Sequence, residues 1–90
     1  MQIFFSFSWR MIKNSKSRRN EAAILIVAQN VRKYRNAAGL TIMGLAGKIN
    51  TDYSQVGRIE RGLLNPSVSM IFDIAAALNV TPAQLLEKED

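Results

Sequence analysis

The sequence predicts an all-α fold of five helices, and three observations carry that prediction. From residue 21 onward, apolar residues recur at intervals of three and four, the period of one helix face and not of a strand. Asn20, Thr41, Asp52, Ser67 and Thr81 precede the successive apolar patterns, and all are residue types that cap helix N-termini. Gly39 and Gly62 follow the first and third patterns, where a helix stops most readily on a left-handed residue.

The first and longest helix starts behind Asn20, carries Glu21 in its first turn, and is stopped by Gly39. Its repeating positions are Ile24, Val27, Ala28, Val31 and Tyr34 or Arg35. Thr41 caps the second, with Met43, Leu45, Ala46 and Ile49 as its apolar set and an end near Asn50. Gly44 and Gly47 lie inside it, each costing roughly 1 kcal/mol relative to alanine, so it is the loosest core helix unless the glycines permit close packing. Asp52, with Gln55 three residues on, forms a capping-box pattern for the third helix, Tyr53 to Arg61, whose inward positions are Val56 and Ile59. Ser67 opens the fourth, with Ile71, Ile74, Ala75 and Leu78 inward. Thr81, Pro82 and Gln84 combine N-cap, first-turn proline and capping-box partner for the fifth, which bears Leu85 and Leu86.

The second and third helices are too short to make a core of their own and are joined by a tight polar turn. In such a pair one helix packs across the other, and the second presents a polar face of a size that fits the major groove of DNA. Composition agrees with a polyanionic partner. Twelve Lys and Arg against seven Asp and Glu give a net charge of +5 and a pI near 10.1. Residues 1–62 hold eleven of the basic groups against Glu21, Asp52 and Glu60, a balance of +8, while residues 63–90 sum to −3.

Ninety residues, 48% of them hydrophobic, suit one compact domain. With no Cys, disulfides and thiolate zinc sites are excluded. With no His, acid–base catalysis at neutral pH and imidazole metal ligation lose their usual residue, and no paired-carboxylate, nucleophile-elbow or phosphate-loop pattern replaces it. The chain therefore reads as a non-enzyme with no metal site and no cofactor.

Two segments of different character divide the sequence. Residues 1–20 form an N-terminal extension and basic arm; residues 21–90 carry the helical pattern. In the extension Ile3, Phe5, Phe7, Trp9 and Met11 alternate with Gln2, Phe4, Ser6, Ser8 and Arg10. That alternation reads either as a strand that pairs with another edge or as a disordered upstream extension with Met11 as the true start. As a strand it would contribute to self-association. The run is too short to span a membrane and lacks a cleavage-like site, so no membrane or signal segment is expected. Lys13, Lys16, Arg18 and Arg19 form a mobile arm that either reaches DNA or is simply solvated.

Leu45-Ala46, Val56, Arg58-Ile59-Glu60-Arg61-Gly62, Asn65-Pro66-Ser67 and Ala75 with Leu78, at their mutual spacing, make the chain resemble the lambda-repressor-like helix-turn-helix domain. This is the XRE family, with Cro and CI-type members, and the resemblance covers roughly residues 24–87. It implies a five-helix domain that binds operator DNA as a dimer with its third helix in the major groove. It also places Tyr53, Ser54, Gly57 and Arg58 on the face used near bases, with Gln55 at the groove edge. Arg58 can donate two hydrogen bonds to guanine. Tyr53 offers ring contact to a thymine methyl or a hydroxyl to phosphate, and Gly57 permits close approach. Arg35 and Glu60 match positions that form an ion pair joining the first helix to the third. Lys48, Arg61 and Asn65 are candidate phosphate contacts. Ile42 stands where many members carry a Gln that meets phosphate, which leaves the backbone N–H of that helix start as the contact.

These readings imply a cytoplasmic transcriptional regulator, a repressor before an activator, that docks as a homodimer on a pseudo-palindromic operator of double-stranded DNA. Two alternatives stand beside it. One is an antitoxin-type adaptor that captures a protein partner such as a toxin and binds DNA for autoregulation; the other is a degenerate DNA-binding scaffold retained for dimerisation.

Overall fold

Every helix begins on a residue with extended backbone, and at Asn20, Thr41, Ser67 and Thr81 the side-chain oxygen accepts the N–H three residues on. These bonds satisfy donors that a helix start leaves unpaired. The resulting elements, in a computed structural model that describes residues 19–89, are α1 (Glu21–Ala37), α2 (Ile42–Lys48), α3 (Tyr53–Glu60), α4 (Val68–Leu78) and α5 (Pro82–Leu86). Thr81 and Gln84 form a reciprocal capping box on α5. Asp52 does not form one on α3: its side chain accepts no backbone N–H of the helix, and the Gln55 N–H goes to the Asp52 backbone carbonyl at 3.1 Å. The Asp52 carboxylate instead accepts a long bond from Ser54 Oγ at 3.4 Å.

The ends of α1 to α4 are set by left-handed residues. Gly39, Asn50, Gly62 and Asn79 have φ of 72°, 58°, 73° and 62°, and glycine and asparagine tolerate that region best. The chain turns there and bonds back, as in Thr51 N–H to the Ala46 carbonyl and Leu63 N–H to the Arg58 carbonyl, both at 2.9 Å. Gly62 is doubly constrained, because a Cβ on it would lie 2.9 Å from Leu25 Cδ2 of α1. α3 accordingly ends at Glu60, with Arg61 as its C-cap, one residue earlier than the sequence pattern suggested.

Val27 and Val31 of α1, Leu45 and Ala46 of α2, Val56 and Ile59 of α3, Ile74, Ala75 and Leu78 of α4 and Leu85 of α5 form one buried core. Each of the larger side chains contributes roughly 1.5–3 kcal/mol by leaving water. Met43 is not part of it and is 67% exposed. At about 100° per residue, Ile42, Leu45, Ala46 and Ile49 share one arc of α2, and Met43 falls outside that arc. Leu86 is likewise exposed, since a five-residue helix has room for one fully inward leucine, Leu85. Of the two α2 glycines, Gly44 packs closely, with Thr41 Oγ1 3.2 Å from where its Cβ would be, whereas nothing lies within 4 Å of that point at Gly47.

Asn30 is the polar residue within the buried face of α1. Its amide donates to the carbonyls of Leu85 at 2.9 Å and Glu87 at 2.8 Å, so α1 itself satisfies the C-terminal end of α5. Arg19, expected in a mobile arm, is instead held. Its guanidinium donates to the Gly62 and Leu63 carbonyls at 3.2 and 3.0 Å and to the Glu21 carboxylate at 2.8 Å. Those carbonyls lie just past α3, where acceptors are left over, and the guanidinium fork matches two of them at once. Lys13, Lys16, Arg18 and the alternating apolar run lie outside the described residues. Among the described residues no helix is long and apolar enough to cross a membrane.

Candidate nucleic-acid interface

The period that sends Val56, Ile59 and Glu60 into the interior turns the other side of α3 outward. At about 100° per residue, the outward arc reads, in angular order, Tyr53, Gly57, Arg61, Ser54 and Arg58, with half-buried Gln55 on its flank. Tyr53 is 54% exposed, and Ser54, Arg58 and Arg61 are also exposed. Gly57 is buried although it lies on this arc, and the Arg61 guanidinium lies beside it: a Cβ there would be 3.3 Å from Arg61 Nη1. Neither Arg58 nor Arg61 has a carboxylate partner among the described residues. Two fixed positive charges on one helix face, without a paired anion, set up an attractive field for phosphate.

Around α3 the other candidates are spread. Lys48 is exposed at the end of α2 and lines an open groove of about 530 Å³ with Asn50 and, from α4, Asp73. Ile42 is half-buried against the core, and its backbone N–H is the first of α2. Asn65, exposed in the loop after α3, borders a different groove with Asn20 and Ala23 at the start of α1. Tyr53, Ser54, Arg58 and Arg61 share one face of α3, while Lys48 and Asn65 lie on other segments and line two separate grooves.

Behind that face α3 is locked to α1. The Glu60 side chain is only 2% exposed, and Arg35, at 12%, grips it with Nε 2.5 Å from Oε2 and Nη2 3.0 Å from Oε1. The remaining Arg35 nitrogen donates to the Leu40 carbonyl at 2.7 Å. The hydrogen bond to Glu60 raises the Arg35 pKa above its ordinary value, so the guanidinium stays charged at any working pH. Arg32 adds a second clamp, donating from Nη2 to the Glu60 backbone carbonyl at 3.1 Å. A cation at the last turn of α3 also complements its dipole. Sequence reasoning missed Arg32 and misplaced Arg19. The signal for Arg32 was its spacing, three residues before Arg35 and so on the same side of α1.

Known proteins share this fold. The helix-turn-helix family HTH_3 matches residues 31–85, from the middle of α1 into α5. The control protein C.SmaI of Serratia marcescens is 34% identical over 64 residues, covering 71% of this chain and 76% of that protein. The HTH-type transcriptional regulator SinR of Bacillus licheniformis is 32% identical over 66 residues, which is 72% of this chain but only 60% of SinR. Among solved structures, the restriction-modification controller protein C.AhdI from Aeromonas hydrophila matches with a TM-score of 0.70 at 35% identity, over 76% of this chain and 99% of that one. A hypothetical transcription factor, NHTF, from Neisseria matches with a TM-score of 0.71 at 33% identity, over 77% of this chain and 80% of that one. The chain belongs to the XRE-type helix-turn-helix family, HTH_3, a family of DNA-binding transcriptional regulators.

Proposed function

We propose that this protein is a sequence-specific repressor, working in the cytoplasm as a homodimer on a pseudo-palindromic operator, with α3 in the major groove. The observation that carries this reading is the division of α3 into two sides. One side is bound through Glu60 to Arg35 and Arg32, and the other presents Tyr53, Ser54, Arg58 and Arg61 to solvent. A rigidly held helix with a polar, cationic outer face is what base-edge recognition requires, because discrimination depends on donors held in fixed register.

Roles follow from exposure and chemistry. Arg58 pairs with guanine O6 and N7; Tyr53 and Ser54 contact a thymine methyl or neighbouring acceptors; Gln55 works at the groove edge. Lys48, Asn65 and the Ile42 backbone N–H hold phosphates and fix register without reading sequence. The named relatives are transcriptional regulators and control proteins, which supports a regulator over an antitoxin-type adaptor.

Arg58→Ala tests this. In electrophoretic shifts with operator and with random DNA, the variant is expected to lose about tenfold to a hundredfold on operator, the equivalent of roughly 1–3 kcal/mol, and only a few-fold on random DNA. Equal losses on both would move Arg58 to the phosphate contacts.

A further inference from the structure

The geometry points to Arg61 as a base-reading residue whose guanidinium is seated on Gly57, and not as a phosphate contact at the rim. This deepens the DNA-binding reading above and rests on it. Three observations converge. First, Arg61 lies in the middle of the outward arc, between Gly57 and Ser54, although it is the C-cap of α3. Its N–H bonds to the Gly57 carbonyl at 3.1 Å, so it stands one full turn above Gly57 on the same stripe.

Second, a helical side chain leans toward the N-terminus, onto the residue four positions earlier. On most residues it would meet a Cβ there. At Gly57 it meets none, and Arg61 Nη1 and Cζ lie 3.3 and 4.0 Å from the point a Cβ would occupy. The guanidinium thus lies against the place from which a side chain at position 57 would project, on the stripe of α3 that carries Tyr53 and Gly57.

Third, the guanidinium has no carboxylate partner among the described residues, so its donor fork remains available. An arginine laid along a recognition helix offers two parallel donors, the pattern that guanine accepts through O6 and N7. A phosphate at the rim would be met better by a side chain extended away from the helix. Arg61 and Gly57 together behave as one reading element beside Arg58.

The test is selection of bound sequences from random duplex DNA by the full chain and by Arg61→Lys, Arg61→Ala and Gly57→Leu, with thermal melts confirming that each variant is folded. Arg61→Lys keeps the charge but loses the planar fork. It is expected to retain affinity for random DNA within about twofold while discrimination at one base pair per half-site falls about tenfold to a hundredfold. Arg61→Ala should flatten the same base pair. Gly57→Leu fills the seat and should disturb that pair too, with Arg61 still present. The inference is overturned if Arg61→Lys keeps the parental profile and Arg61→Ala weakens all sequences equally with a salt slope lower by about one. It is also overturned if Gly57→Leu leaves the profile unchanged. A parent chain that enriches no sequence at all would refute the DNA-binding reading itself, an outcome distinct from both.

Discussion

Glu60→Gln is expected to lower the stability of this protein by about 3–5 kcal/mol, the usual consequence of removing one partner from a buried ion pair. The carboxylate is 2% exposed and the Arg35 guanidinium 12%, so water cannot replace what is lost. Glutamine keeps the size but brings an NH2 group against a guanidinium that has only donors. Arg35 then retains the Leu40 carbonyl and one amide oxygen, with no counter-charge. For a domain of this size the change corresponds to a melting point lower by more than about 10 °C. Arg32→Ala provides the contrast. Its side chain is 54% exposed and its Nε lies 3.6 Å from Glu60 Oε1, so the expected cost is about 0–1 kcal/mol. Thermal melts of both variants check the account, and a Glu60→Gln protein that melts like the parent contradicts it.

Asn30→Asp is expected to cost at least about 3 kcal/mol at neutral pH, for the opposite electrostatic reason. The Asn30 amide is a double donor to the Leu85 and Glu87 carbonyls. A carboxylate of the same shape turns both bonds into repulsions between acceptors and buries an unpaired charge. Burial and repulsion raise the folded-state pKa of the new carboxyl above its unfolded value near 4. The folded state then binds the proton more tightly, so stability is lost as pH rises through the interval between the two values. The deficit relative to the parent should therefore shrink on acidification, when a protonated carboxyl can donate again. Urea melts of both proteins at pH 7 and pH 4 measure this; a deficit independent of pH would mean that the site opens to water.

The outer and inner sides of α3 were legible because one period fixes both: the positions that bury Val56 and Ile59 leave Tyr53, Ser54 and Arg58 outside. The left-handed stop at Gly62 was legible for a similar local reason. What the sequence hid are contacts between a side chain and a distant backbone. Asn30 reaching α5 and Arg19 reaching the Gly62 and Leu63 carbonyls follow from no periodicity, since either side chain could have faced solvent instead, and the spacing of Arg32 from Arg35 gives its side of α1 but not its acceptor, the Glu60 carbonyl. Asp52 misled because an N-cap residue type states only that a bond is possible, and here the Gln55 N–H takes the backbone oxygen. The relation of Gly57 to Arg61 was hidden twice over. A glycine reads as a gap and a terminal arginine reads as rim charge, and only the folded-back side chain joins them. The alternating run from Ile3 to Met11 lies outside the described residues, and its expected part in self-association is tested by the sedimentation of a chain starting at Met11.

The most direct test of the central claim is selection of bound sequences from a random duplex library by the unmodified full chain at about 0.15 M salt, the ionic strength at which purely electrostatic attachment is weak. A two-fold dimer presenting two copies of α3 is expected to enrich a site with two inverted half-sites, their centres about 10–10.5 base pairs or a multiple of that apart. A pool that stays random after repeated rounds, from a chain that is folded and binds DNA only at low salt, would contradict that claim.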